Sequence, residues 1–261
     1  MLQKLKKNPL LTASLIVFFY ALWFVVPMFF REVDPNAKGI SGISGALTMW
    51  SAELATAIML ALALSLLGWW RKIGFCSIKK GSFKFLLPIF FTALFILNIA
   101  WVFDESGKWL FGFDSPLQLF SLLGMTLLLG FVEEGIFRGV LFYGLSKKFT
   151  PLFTVIFSAV IFAIFHFVNL FEGASFNTTF FQAIHAGAMG FLYASLRLRL
   201  GALWPLMLLH GFWDFSIFVL QSSRPVGMSG DISTAQGLSI ALPALLYGIF
   251  VYWRWSKQTN I

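Results

Sequence analysis

A small set of ionisable residues lies inside otherwise apolar stretches of the sequence. The set consists of Glu53, Glu133, Glu134, Arg138, His166, His185, His210 and Asp214. If these stretches cross a membrane, each ionised group at the centre of the bilayer costs roughly 2.5–3.5 kcal/mol. Ionisable residues in such positions are therefore candidates for chemistry.

Three pairs of residues have the i, i+4 spacing that places two side chains on one face of a helix. They are Glu134 with Arg138, Phe162 with His166, and His210 with Asp214. The first pair predicts a salt bridge that neutralises two charges. Glu133 is turned by about 100° around the helix axis and has no partner on its own face. It is suited to be a general base, although it could instead bond a neighbouring helix and only lock the packing.

A carboxylate, two histidines and an aspartate that meet in a dry pocket support two kinds of chemistry. His166, His210 and a carboxylate are a ligand set that zinc accepts, with an open position for water. Alternatively, Glu133 and one histidine activate water directly, while His210 and Asp214 stabilise the oxyanion. Both routes end in hydrolysis of an amide, and both stay open from the residues alone.

The composition predicts that membrane helices position these residues. Hydrophobic residues make up 59% of the chain and charged residues 11%, against about 25% charged in ordinary soluble domains. A transmembrane helix needs about 20 apolar residues. Eight runs qualify, namely Leu10–Phe30, Ala46–Trp70, Phe85–Phe103, Leu117–Tyr143, Leu152–Phe171, Phe176–Leu196, Leu203–Leu220 and Leu238–Tyr252. We expect an all-α polytopic membrane protein with about eight transmembrane helices and the site inside the helix bundle.

Proline marks the start of the helices that carry the candidate residues. Ser115 and Thr150 each precede a proline and are typical N-caps with proline in the first turn. Pro205 could mark a third start in the same way, or it could kink a helix that begins at Gly201.

The basic residues predict the orientation of the chain. With the amino terminus inside, fourteen of the nineteen lysines and arginines lie in inward segments and four in outward segments, while Arg138 lies in a span. This distribution follows the positive-inside rule and places both termini in the cytoplasm of a multi-pass protein of the cell membrane. We expect the first run to be an uncleaved helix. The net charge of +8 is a topology signal and does not indicate nucleic-acid binding.

The three motifs, in this order on successive spans, resemble those of the CPBP intramembrane proteases. This family includes CAAX prenyl endopeptidases and bacteriocin-processing or immunity proteins, also called the Abi family. The segment from Gly201 to His210 is similar to the one that precedes the family's last motif. The resemblance covers roughly residues 117–220 and implies that Glu133, His166 and His210 are the core of the catalytic site.

The resemblance also implies roles for the neighbouring residues. Glu134, Arg138 and Phe162 would support the site. The fourth member of the family's site is usually Asn, but here it is Asp214. An ionised Asp accepts hydrogen bonds but does not donate them to an oxyanion. The departure favours a divalent metal ion, zinc, held by His166, His210 and a carboxylate, with Glu133-activated water as the other route.

The predicted organisation has three parts. Residues 1–116 contain the amino-terminal transmembrane helices, 117–220 the CPBP-like catalytic core, and 221–261 the last transmembrane helix and tail. The expected partners are a membrane-associated peptide or protein substrate, of CAAX type or leader-peptide type, and the lipid bilayer. A proton-coupled transporter, or an inactive membrane immunity or binding protein, is the alternative. Glu53 and His185 have no motif partner and are assigned to hydrogen bonds between helices.

Overall fold

Long apolar helices follow one another along the chain, as the hydrophobic runs predict. The computed structural model describes residues 2–28, 43–104, 108–171, 173–223 and 234–259. Its α-helices are α1 Leu2–Lys7, α2 Pro9–Met28, α3 Ile43–Leu67, α4 Trp70–Ile73, α5 Leu87–Val102, α6 Pro116–Glu134, α7 Phe142–Ser146, α8 Pro151–Phe165, α9 Phe176–Leu200, α10 Trp204–Ser222 and α11 Thr234–Thr259. A π-helical segment, Gly135–Leu141, joins α6 to α7, and 3₁₀ segments span Phe83–Phe85 and His166–Leu170.

The all-α polytopic fold class is confirmed. Five helical segments in the described part of the chain are long and apolar enough to cross a membrane, namely Pro9–Val26, Trp50–Leu67, Phe83–Val102, Pro116–Ser146 and Pro151–Leu170. The other three predicted spans are also helices, α9, α10 and α11. They fall below the same threshold of length and apolarity over the residues described.

The helix starts agree with the proline signals. Thr150 caps α8, because its hydroxyl accepts a hydrogen bond from the Phe153 amide at 3.4 Å. Ser115 has the extended backbone of an N-cap, but its side chain makes no capping bond. Helix α10 begins at Trp204, so Pro205 lies in its first turn and does not kink a helix that starts at Gly201.

The fourth predicted span is a helix that changes its winding beside the candidate residues. It is α-helical as far as Glu134, π-helical from Gly135 to Leu141, and α-helical again to Ser146. A π-helical segment has i→i+5 hydrogen bonding and is frequent at functional sites. The Ser158 hydroxyl of α8 donates to the carbonyl oxygen of Phe137 inside this segment, at 3.0 Å. The hydrophobic run alone predicted one continuous helix here.

Two glycines bring the backbones of α6 and α10 into direct contact. A Cβ at Gly130 would lie 2.4 Å from the carbonyl oxygen of Met207, and a Cβ at Gly211 would lie 2.5 Å from that of Thr126. Only glycine fits at both positions, and small residues are what allow membrane helices to approach this closely. The crossing lies beside His210 and one turn before Glu133, so it sets the distance between the two motifs.

Candidate active site

The predicted ion pair between Glu134 and Arg138 is present and fully buried. Arg138 Nη1 lies 2.9 Å from Glu134 Oε1, and neither side chain is exposed. The guanidinium also covers the ring of Phe162, with Cζ 4.1 Å from the ring centroid. Gly190 of α9 leaves room for it, because a Cβ there would lie 2.8 Å from Arg138 Nη2. The two opposite charges therefore neutralise each other at the junction of α6 and the π-helical segment.

Glu134 also binds His210, which the sequence did not predict. Glu134 Oε1 lies 2.8 Å from His210 Nδ1, so one carboxylate oxygen contacts both the guanidinium and the imidazole. A carboxylate is an acceptor, and the bond therefore places the ring hydrogen of His210 on Nδ1. The lone pair of the neutral ring is then on Nε2. A carboxylate behind a histidine in this way fixes both the tautomer and the ring orientation.

The Nε2 side of His210 faces the other two carboxylates of the site. Glu133 Oε2 lies 3.5 Å from this nitrogen, and Asp214 Oδ2 lies 3.4 Å from it. The exposed fraction of the side chain is 12% for both His210 and Glu133, and 22% for Asp214. The predicted sharing of a helix face by His210 and Asp214 is present. Glu133, which has no partner on its own helix, faces α10.

His166 joins the site through Phe162. It is the first residue of the 3₁₀ segment after α8, and its Nδ1 lies 2.9 Å from the Phe162 carbonyl oxygen. The ring of Phe162 contacts both imidazoles, with centroid distances of 4.7 Å to His166 and 6.2 Å to His210. Because Nδ1 of each histidine faces an oxygen acceptor, both neutral rings have a free lone pair on Nε2.

Tyr193 was not predicted from the sequence. Its ring centroid lies 5.5 Å from that of His210, and the residue is 2% exposed. Its hydroxyl has no hydrogen-bond partner among the described residues. A tyrosine in a mostly apolar helix gives no signal by spacing, because its ring is equally suited to the core.

The interhelical hydrogen bonds predicted for Glu53 and His185 are not found in the described part of the chain. Glu53 Oε2 and His185 Nε2 are buried there without a hydrogen-bond partner. Glu53 lies on α3 and is 6% exposed. His185 packs its ring against Trp213 instead, with centroids 6.2 Å apart. The aromatic contact buries the ring, but it leaves Nε2 without a hydrogen-bond partner among the described residues.

The described residues do not form a ready ligand set for zinc. No group of three or more His, Cys, Asp or Glu residues among them has an arrangement that could hold a metal ion. His210 directs Nδ1 to Glu134 and His166 directs Nδ1 to a backbone carbonyl, which leaves Nε2 of each ring for the reaction. The arrangement places carboxylates around an imidazole, which suits proton transfer.

Buried carboxylates around a histidine in a polytopic helix bundle are groups that can activate water, as the class of intramembrane hydrolases requires. Comparison with protein families supports this class. Residues 115–216 match the family described as type II CAAX prenyl endopeptidase Rce1-like. The resemblance to the CPBP and CAAX proteases is thus confirmed for this segment, which contains Glu133, His166, His210 and Asp214. No curated protein and no solved structure matches the chain.

Proposed function

We propose that this protein is an intramembrane endopeptidase that cleaves CAAX-type or related membrane-associated peptides with water activated by Glu133 and His210. The observation that carries the proposal is the position of the His210 imidazole between two adjacent carboxylates. Glu134 binds Nδ1 at 2.8 Å, and Glu133 lies 3.5 Å from Nε2. The family match, to proteases, supports the same class of reaction.

In the proposed reaction, Glu133 accepts a proton from water, and the hydroxide adds to the carbonyl carbon of the scissile peptide bond. His210 Nε2, which lies within one proton-transfer step of Glu133, receives that proton. It then donates the proton to the leaving amine as the C–N bond breaks. Glu134 stabilises the imidazolium formed in between, because its carboxylate is already bonded to Nδ1. The products are a new carboxylate and a free amine.

Asp214 and His166 have separate proposed roles. Asp214 lies one helical turn after His210 and 3.4 Å from Nε2, so it can accept from Nε2–H and hold the ring once His210 has received the proton. His166 presents Nε2 as an acceptor and can bind an N–H group of the substrate backbone. Asp214 would thus position the His210 ring and His166 the substrate. Neither residue is required to accept the proton of water.

The proposed orientation places both termini in the cytoplasm of the cell. Its support is the excess of basic residues before α2, between α3 and α5, just after α7, and near the carboxyl-terminal ends of α9 and α11. Ser77 is exposed in one of these segments. In a Cys76→Ser background, a Ser77→Cys variant should resist a membrane-impermeant thiol reagent added to intact cells. Labelling from outside would reverse the orientation.

The activity is tested with purified protein in proteoliposomes and short peptides that end in a C-a-a-X sequence, with or without a prenyl group on the cysteine. We expect release of the terminal tripeptide, detected by mass spectrometry, with the prenylated peptide preferred. A set of peptides that all remain intact, together with a proton-coupled solute flux that depends on Glu133, would establish the transporter alternative in its place.

A further inference from the structure

A second feature of the molecule is a pair of adjoining cavities at the end of the bundle where the basic residues gather. One has a volume of about 470 Å³ and is lined by Lys79, Lys80, Lys84 and Arg199, among others. The other has a volume of about 400 Å³ and has mainly aromatic walls, including Tyr247, Phe250 and Trp253, with Arg254 beside them. Lys84 lines both. The two cavities together therefore have a cationic part and an apolar part.

The cationic part has no acidic residue to balance it. Neither cavity has an aspartate or a glutamate among the described residues that line it. Like charges that line one cavity repel one another, and the repulsion is strongest where protein and lipid lower the local dielectric. An anion bound between the cations would remove that repulsion.

Arg199 is the fixed cation of this cavity. The residue is 8% exposed, and its guanidinium covers the ring of Phe85, with Cζ 4.6 Å from the centroid. Nη1 donates to Gln258 of α11, while Nε has no partner among the described residues. A buried guanidinium without a carboxylate is costly, and its planar fork suits the oxygens of a phosphate.

The aromatic part continues from the cationic part along α11. Tyr247 is fixed there by a hydrogen bond from its hydroxyl to the carbonyl oxygen of Phe85, at 2.9 Å. Phe250 packs against Tyr247 and Trp253, with centroid distances of 6.1 Å and 6.2 Å. Phe250 and Trp253 are themselves exposed. This row of rings offers an apolar surface of the kind that acyl chains cover.

We propose that the two cavities together bind one anionic phospholipid, with its phosphate against Arg199 and the lysines and an acyl chain along Phe250 and Trp253. Basic pockets between transmembrane helices recognise anionic head groups in this way. A zwitterionic lipid has the same phosphate but also carries a cationic group. It therefore neutralises less of the positive charge of the cavity. A soluble phosphate compensates the charge but leaves the aromatic wall uncovered.

Bound lipid would stabilise the fold, because the cavity joins three separate parts of the chain. The Ser82 hydroxyl donates to the Arg199 carbonyl oxygen at 3.0 Å, and the Lys79 amide donates to that of Leu200 at 2.9 Å. Arg199 in turn binds Gln258. A ligand that contacts the segment 79–84, α9 and α11 together opposes their separation, so binding is measurable as a rise in the temperature of unfolding.

The test measures the unfolding temperature of delipidated protein in detergent as phosphatidylglycerol, phosphatidylcholine with the same acyl chains, or inorganic phosphate is added. We expect phosphatidylglycerol to raise it in a saturable way, and the other two to have little effect. An equal effect of inorganic phosphate would indicate a site for free anions, and an equal effect of phosphatidylcholine would indicate general lipid solvation. Either result overturns the proposal.

Variants separate a built site from a general basic surface. The double variant Lys80→Gln/Lys84→Gln should weaken phosphatidylglycerol binding by about twenty- to thirtyfold, from roughly fivefold for each lysine. The matched control is Lys72→Gln/Lys148→Gln, which removes two exposed lysines of the same end of the bundle that do not line the cavities. The control should bind as the parent protein does. Equal losses in the two variants would contradict a site.

Discussion

His210 Nδ1 lies 2.8 Å from Oε1 of Glu134, while Nε2 on the opposite side of the ring lies 3.5 Å from Oε2 of Glu133. Two residues that are adjacent in sequence therefore bracket one imidazole of another helix. The arrangement is possible because neighbouring side chains on a helix diverge by about 100°. Glu134 therefore has a second role, in addition to its ion pair with Arg138.

The ion pair with Arg138 is expected to be a large contribution to stability. Arg138→Met keeps much of the side-chain volume but leaves Glu134 as a buried carboxylate with no guanidinium. Breaking a buried pair in this way costs roughly 3–5 kcal/mol. Thermal unfolding in detergent should show a large fall in the unfolding temperature, and Glu134→Gln added to Arg138→Met should recover part of it. If Arg138→Met unfolds at the temperature of the parent protein, the pair is not the buried stabilising contact that the geometry indicates.

The same double variant separates stability from catalysis. Glu134→Gln/Arg138→Met is expected to fold better than Arg138→Met alone but to remain nearly inactive, because the introduced amide no longer holds the ring of His210 with a charged acceptor. Replacement of the orienting carboxylate of a catalytic histidine lowers kcat by about 10⁴ in the serine protease case. Steady-state peptide cleavage should show the loss in kcat, with KM little changed. Recovery of activity together with stability would limit Glu134 to a structural role.

The contact between α6 and α10 is expected to tolerate no side chain at Gly211. A Cβ there would meet the Thr126 carbonyl oxygen at 2.5 Å and Leu127 Cα at 2.6 Å, and both are backbone atoms that cannot turn away. Gly211→Ala should cost roughly 1–3 kcal/mol through overpacking and move His210 away from Glu133 and Glu134.

Gly187→Ala is the matched control for this prediction. It lies within α9, and its nearest neighbour for an added Cβ is the methyl group of Ala163 at 3.3 Å. The control should retain stability and activity in thermal unfolding and peptide cleavage. If Gly211→Ala behaves like the control, the two helices do not define the site as described.

Metal dependence is tested at Asp214. The sequence favoured a zinc ion held by His166, His210 and a carboxylate, whereas the geometry supports proton transfer between Glu133 and His210. We expect peptide cleavage to continue after thorough removal of metal, and Asp214→Asn to keep most of the activity, because an amide oxygen can still accept from Nε2–H once the ring is protonated. Loss of activity in both experiments, with recovery of the chelated enzyme at one equivalent of zinc, would establish the metal route.

Sequence periodicity was sufficient for contacts within one helix. The spacing of Glu134 and Arg138 predicted their ion pair, and the Thr150 and Pro151 pattern predicted the start of α8. These predictions succeed because the i, i+4 geometry and the capping bond depend only on local backbone conformation. The eight hydrophobic runs predicted helices for the same reason, since length and apolarity are local properties.

Contacts between helices could not be predicted in this way. The bond from His210 to Glu134 joins residues 76 positions apart, and it depends on how α6 is rotated against α10. That rotation is fixed by the contacts at Gly130 and Gly211. These residues have no side chain, so the sequence gives no pattern from which the contact could be predicted. The π-helical segment after Glu134 alters the register further, and no composition signal marks it. The sequence assigned Glu134 as a supporting residue through Arg138 but could not show its bond to His210.

Glu133 is proposed to accept the proton of the attacking water, and Glu133→Gln removes this ability while changing little else. Glutamine keeps the size of the side chain and its ability to hydrogen bond, but it cannot serve as a base. We predict that turnover of a cleavable peptide in proteoliposomes falls by roughly 10²–10⁴, while the unfolding temperature of the same preparation stays close to that of the parent protein. Cleavage by Glu133→Gln at the parent rate would contradict the account.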